Sequence, residues 1–175
     1  MNSNKLSVLI VGATGKLGTR ITKHCLESSK LLVNILVRNP DKNIPLCEQV
    51  KQAGGKVIKV DVKETETLKD VTKGIHTLIS TLDGEDTLPG QLALLEDGVK
   101  NGLKRFVPSE FIVNYKEYKV GDSFAYDVIL QFREKLEKTP VKGLHVFPGL
   151  ITEIFMDWIY KPGLHQYLTR SRSWR

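Results

Sequence analysis

The stretch LSVLIVGATGKLG, residues 6–18, changes periodicity at its midpoint, and that change decides how the rest of the chain is read. Leu6 to Val11 is a nearly continuous apolar run rich in β-branched residues, the pattern of a strand covered on both faces. From Lys16 the apolar positions fall at helical spacing, with Leu17, Ile21 and Cys25 on one stripe. Gly12, Gly15 and Gly18 lie between, in a G-x-x-G-x-x-G turn. In a strand-to-helix turn the first glycine makes the sharp bend, the second lets backbone N–H groups approach a pyrophosphate, and the third lets the helix pack closely on the sheet. The helix N-terminus adds unpaired donors and a partial positive charge.

Working outward, the alternation repeats. A strand is expected over Leu32 to Val37, then a polar turn Arg38 to Lys42, a helix near Pro45 to Ala53, a Gly54-Gly55 stop and a strand Lys56 to Val60. A third helix around Thr65 to Lys73 precedes a strand Ile75 to Thr81. A helix from Leu88 to Asn101 closes on Gly102. The strand Arg105 to Pro108, the helix Phe124 to Lys138 and the strand Lys142 to Phe147 complete the series. The fold class is therefore α/β, a doubly wound parallel sheet of the NAD(P)-binding Rossmann type. The expected domain runs over residues 5–150, with 151–175 as a short C-terminal segment.

Ligands of such sheets bind beyond the carboxyl ends of the strands. An acidic residue after the second strand would accept from the adenosine ribose of NAD, but this chain has Arg38 there, 20 residues past Gly18. A guanidinium suits the 2′-phosphate of NADP(H), which is the expected cofactor. Lys42 adds a second contact or is a solvated turn residue. Asp61, ending the third strand, either approaches the adenine edge or is a turn residue.

Composition bounds the alternatives. Of the 175 residues 41% are hydrophobic and 26% charged, as in an ordinary globular domain. Cys25 and Cys47 are too few for a disulfide framework and lack the spacing of a zinc site, so no metal is expected. The net charge of +6 comes from 26 basic residues interleaved along the sequence with 20 acidic ones, and the one tight basic cluster is the tail Arg170, Arg172 and Arg175. Neither nucleic acid nor a membrane is an expected partner. With no signal-peptide core and no apolar run near 18 residues, a cytoplasmic location is the default expectation.

GATGKLG, LVRNPDK, the strand ending Ser80-Thr81 and above all RFVPSEF at residues 105–111 resemble the isoflavone reductase-like and NmrA-like branch of atypical short-chain dehydrogenases, over residues 6–148. The resemblance implies NADP(H) binding and, in the enzymatic members, reduction of an aromatic or quinone-like small molecule. It also implies a cofactor lining of Gly12, Thr14, Gly15, Lys16, Leu17, Arg38, Ser80, Thr81, Ser109, Glu110 and Phe111. Enzymatic members carry a lysine on the helix after Pro-Ser-Glu-Phe that assists proton transfer. With Gln131-Phe132-Arg133 as anchor, the corresponding residue here is Ile129, which cannot move a proton.

The remaining catalytic candidates are thin. Tyr115 and Lys119 have the Tyr-x-x-x-Lys spacing in which the ammonium lowers the phenol pKa, yet with 5 tyrosines chance alone supplies about half a match. Their segment is polar and runs into Gly121, which reads as a loop. Tyr126 lies on an expected helix with Leu130 where the lysine would stand. Two readings follow: a reductase of a small conjugated substrate, or a non-catalytic NADP(H)-binding regulator or redox sensor. Relatives by resemblance continue past residue 175, so the substrate region is expected to be incomplete. The apolar stretch Ile151 to Tyr160 then packs on the sheet edge, lines a binding surface, or is covered by a protein partner or a second copy.

Overall fold

The computed structural model describes residues 5–84, 87–111, 114–115, 117–122, 124–149 and 151–152. Six strands form one sheet: β1 (Leu6–Val11), β2 (Leu31–Val37), β3 (Val57–Lys59), β4 (Thr77–Ser80), β5 (Arg105–Val107) and β6 (Lys142–Gly143). Every pairing is parallel, and the order is β3-β2-β1-β4-β5-β6. Among the described residues four α-helices connect them: α1 (Lys16–Leu26), α2 (Ile44–Gln52), α3 (Thr87–Asn101) and α4 (Phe124–Glu137).

The unbroken apolar character of β1 follows from having a core on each face. Side chains alternate along a strand, so Leu9 and Val11 join Leu36, Leu78, Leu94, Phe106 and Phe132 in one cluster. Val8 and Ile10 join Val33, Ile35, Val37, Cys47 and Val50 in the other. Phe106 of β5 and Phe132 of α4 meet at 5.0 Å between ring centroids. Asn34 interrupts the run in β2, and its amide donates to Ser7 Oγ at 3.0 Å and accepts from the Lys56 N–H at 3.1 Å, sewing three strands together.

Two expected elements come out differently. Residues 65–73 do not form a helix; only a 3₁₀ turn, Thr65–Leu68, is present. The cause lies on α3, where the buried carboxylate of Asp97 accepts from the N–H groups of Asp70 at 2.7 Å and Thr72 at 2.9 Å and from Thr72 Oγ1 at 2.6 Å. Those N–H groups cannot also bond four residues back, and Asp70 is bent to φ 62°. The sixth strand, expected to reach Phe147, stops at Gly143. Leu144 N–H still donates to the Phe106 carbonyl at 2.9 Å, but β5 ends against Pro108, which has no N–H with which to extend the ladder.

The chain forms two compact units: residues 1–109 with 117–145, and residues 110–116 with 146–175. The sheet and helices belong to the first. From Glu153 onward, the stretch expected to need a cover, and the arginine tail with it, lie outside the described residues.

Asp97→Ala is expected to lower unfolding stability by about 3 kcal/mol, because it strands buried donors of the 70–72 segment. The neighbouring exposed Glu96→Ala should stay within about 0.5 kcal/mol in the same urea titration. A loss under about 1 kcal/mol for Asp97→Ala would remove Asp97 from this role.

Candidate functional site

The order β3-β2-β1-β4-β5-β6 places a switch point between β1 and β4, where successive crossovers run in opposite directions and a crevice opens at the carboxyl edge. The glycine turn sits there. Gly12 has φ 78°, and its N–H donates to the Leu36 carbonyl of β2 at 3.3 Å. A Cβ at Gly12 would lie 2.8 Å from both the carbonyl and Oγ1 of Thr81. A Cβ at Gly18 would lie 2.2 Å from the Gly12 carbonyl. Thr81 closes the contact from β4, its hydroxyl donating to the Val11 carbonyl at 2.7 Å. Turn, helix and strand therefore touch at a distance only glycine allows.

Helix α1 starts with Gly15 as its N-cap, without a side-chain cap and without an acidic residue in the first turn. Gly15 and Lys16 are exposed, Thr14 and Leu17 half-buried. The donors that a helix leaves open at its first turn therefore face the crevice without a competing carboxylate of the helix itself, the arrangement that holds an anion. The turn is braced from behind by Thr19 Oγ1 donating to the Ala13 carbonyl at 3.0 Å and Thr22 Oγ1 to that of Gly18 at 2.7 Å.

Arg38 follows β2 two residues beyond the carbonyl that accepts from Gly12, so register brings it beside the turn. It is exposed and makes no hydrogen bond or ion pair among the described residues. Lys42 stands exposed on the 3₁₀ turn Pro40–Asn43, which Asn39 caps by accepting from the Asp41 N–H at 3.0 Å. Asp61 uses one carboxylate oxygen to accept from the Lys63 N–H at 3.1 Å, as a turn residue does.

At the end of β4, Ser80 is fully buried and its hydroxyl has no hydrogen-bond partner among the described residues. Ser109, after β5, donates its hydroxyl to the Leu82 carbonyl at 2.6 Å, and its N–H donates to Gln91 Oε1 at 2.7 Å. Gln91 was not among the sequence candidates. Its one signal is a polar residue on the α3 face that buries Leu94, Leu95 and Gly98.

Glu110, Phe111 and Tyr115 belong to the second unit. There Tyr115 is fully buried in a loop, its phenol donates to Glu110 Oε2, and its ring meets Phe147 edge-on at 5.2 Å. That phenol is held by a carboxylate. Lys119 is an exposed turn residue whose N–H donates to Asp122 at 2.8 Å. Tyr126 packs on Tyr118 at 4.7 Å, Leu130 is buried beside it on α4, and Ile129 is half-buried. Burial pushes the thiols of Cys25 and Cys47 up, which keeps both protonated and poorly nucleophilic.

Sheet order, switch point and glycine turn define the class, a Rossmann fold of the NAD(P)-binding type. The model of the NmrA-like family matches residues 4–171, and the chain belongs to that family. Its relatives include the Arabidopsis thaliana protein named "Probable pinoresinol-lariciresinol reductase 3", 25% identical over 162 residues, which cover 91% of this chain and 52% of the relative. Among solved structures, AtPrR2 with NADP+ and (+)-pinoresinol superposes with a TM-score of 0.73 at 23% identity, covering 92% of this chain and 55% of that one. A structure from a study of pinoresinol-lariciresinol and phenylcoumaran benzylic ether reductases gives 0.67 at 28% identity, covering 85% and 51%. The chain spans about half the length of the curated relatives it matches.

Gly18→Ala is expected to destabilise the fold by more than about 2 kcal/mol, since the new methyl meets backbone rather than a movable side chain. Ser80→Ala should leave the melting temperature unchanged or raise it, because a buried hydroxyl without a partner is removed. A clear drop in Tm for Ser80→Ala would mean that the hydroxyl has a partner after all.

Proposed function

We propose that this chain is the nucleotide-binding part of an NADP(H)-dependent reductase of the isoflavone reductase-like type, acting on a small aromatic or quinone-like substrate. The observation that carries the reading is the uncapped start of α1 behind a turn too tight for any Cβ, with the guanidinium of Arg38 beside it, unpaired among the described residues. The backbone of Gly12 to Gly18 would hold the pyrophosphate, and Arg38, with Lys42, the 2′-phosphate. Thr81 and Ser109 would line the crevice at the ends of β4 and β5. When bound, the cofactor supplies or accepts the hydride. Relatives named for pinoresinol-lariciresinol reduction support a phenylpropanoid-like substrate.

A second reading, a non-catalytic NADP(H)-binding regulator, is favoured by specific residues. Ile129 offers hydrocarbon where a proton donor is expected, and the Tyr115 phenol is engaged by Glu110. Loss of a general acid or base removes about 10²- to 10⁴-fold of rate, so the two readings differ in turnover rather than in cofactor binding. Stopped-flow oxidation of NADPH against quinones and phenylpropanoids separates them, and tight NADPH binding without turnover would replace the reductase by the regulator.

For the cofactor, calorimetric titration should show NADPH bound more tightly than NADH. Arg38→Ala should erase roughly 10- to 150-fold of that preference, the equivalent of about 1.5–3 kcal/mol in charge-assisted hydrogen bonds. An unchanged NADPH/NADH ratio would take Arg38 out of the site.

A further inference from the structure

In an all-parallel sheet every strand enters from the same edge, so a residue type that precedes each strand collects along one line. Here lysine precedes four of the six strands and opens a fifth. Lys5, Lys30, Lys56 and Lys104 stand directly before β1, β2, β3 and β5, and Lys142 begins β6. Lys69 and Lys73 lie on the loop that leads into β4, and Arg105 opens β5. Backbone hydrogen bonds fix their adjacency: Leu6 N–H donates to the Lys30 carbonyl at 2.9 Å, Lys104 N–H to that of His76 at 3.1 Å, and Lys142 N–H to that of Lys104 at 3.0 Å. With neighbouring strands about 4.8 Å apart, the row extends over roughly 24 Å.

All eight side chains are exposed, and none makes an ion pair or side-chain hydrogen bond among the described residues. Several acids on the helix ends that feed this edge are engaged, while exposed Glu96 of α3 and Glu134 of α4 make no ion pair among the described residues. Glu27 is bonded to His24, Glu48 to Lys51 and Glu137 to Arg133, while Asp97 is buried. Lys56, Lys69 and Lys73 surround a cleft of about 550 Å³ with apolar walls that include Leu32, Ile58 and Val71 and with Asp70 as its one acid. Leu6, at the start of the central β1, is 48% exposed among these cations.

We propose that the amino edge of the sheet docks on an anionic lipid surface, with the Lys56/Lys69/Lys73 cleft taking a phosphate-bearing headgroup. Charge complementarity argues for the partner class, and the make-up of the edge argues for lipid over nucleic acid. Seven of the eight cations are lysines, which act as point charges on a diffuse anionic plane, whereas arginine forks predominate where nucleic acid is read. The residues just named include no Phe, Tyr or Trp on which bases could stack, but they do include an exposed leucine that can enter the interface. The glycine turn lies at the opposite edge, so a docked chain would keep its nucleotide crevice open to solvent. This inference does not rest on the proposed reductase activity.

The test is co-sedimentation of the full chain with vesicles of phosphatidylcholine alone and with about a quarter phosphatidylserine, at low salt and at roughly 1 M, where the screening length falls to about 3 Å. The expected result is pelleting with the anionic vesicles only, abolished by salt. The triple variant Lys5→Glu/Lys30→Glu/Lys104→Glu should bind at least about tenfold more weakly while keeping its circular-dichroism melting curve and its NADPH affinity. Lys56→Glu/Lys73→Glu should separately weaken binding, and inorganic phosphate should compete if the cleft takes the phosphate itself. No pelleting at low salt, equal pelleting of the triple variant, or tighter retention on duplex DNA than on vesicles would each overturn the proposal.

Discussion

The contact among Gly12, Gly18 and Thr81 is the constraint on which the rest of the site depends. Strand β1 must end, helix α1 must begin and strand β4 must pass beside both within a space that excludes a single methyl group. Gly12 meets this with a left-handed φ, Gly18 by presenting no Cβ to the Gly12 carbonyl, and Thr81 by turning its hydroxyl onto Val11. Because the helix is held this close, its first turn opens at the switch point of the sheet, where backbone donors and the helix dipole point the same way.

Around that contact a few buried polar side chains tie loops to the sheet. Asn34 links β2 to the starts of β1 and β3, Gln91 holds Ser109, and Asp97 pins the 70–72 segment. Each satisfies backbone groups that an irregular segment would otherwise bury unpaired, a cost comparable to a lost hydrogen bond. The sheet thereby acquires two unlike edges. At the carboxyl edge lie a backbone cradle and an arginine suited to a nucleotide, and at the amino edge a row of lysines whose side chains have no partner among the described residues.

The candidate site divides between what binds and what reacts. In the proposed reading, cofactor recognition would rest on the backbone geometry of the glycine turn and on one guanidinium. Proton transfer would need a titratable group, but Ile129 is a hydrocarbon and the Tyr115 phenol is tied to Glu110. Membership in the NmrA-like family accommodates either outcome, since hydride chemistry belongs to the cofactor while proton delivery belongs to the protein.

Much of this was legible in the residues alone. Strand β1, the glycine turn, α1, the capping of α3 by Gly102 and the place of Arg38 all follow from periodicity and backbone sterics, which act over a few residues. What the tertiary structure decided involves partners far apart in sequence. The pattern at 65–73 is helical until Asp97, 25 residues beyond Thr72, captures its N–H groups. Tyr115 sits in a segment that reads as a polar loop, yet the phenol is buried and donates to Glu110. Lysines that read as scattered become a single row only when parallel pairing brings the starts of the six strands to one edge. Local sterics are written in the chain, whereas convergence of distant groups is set by topology and by the need to satisfy buried polar atoms.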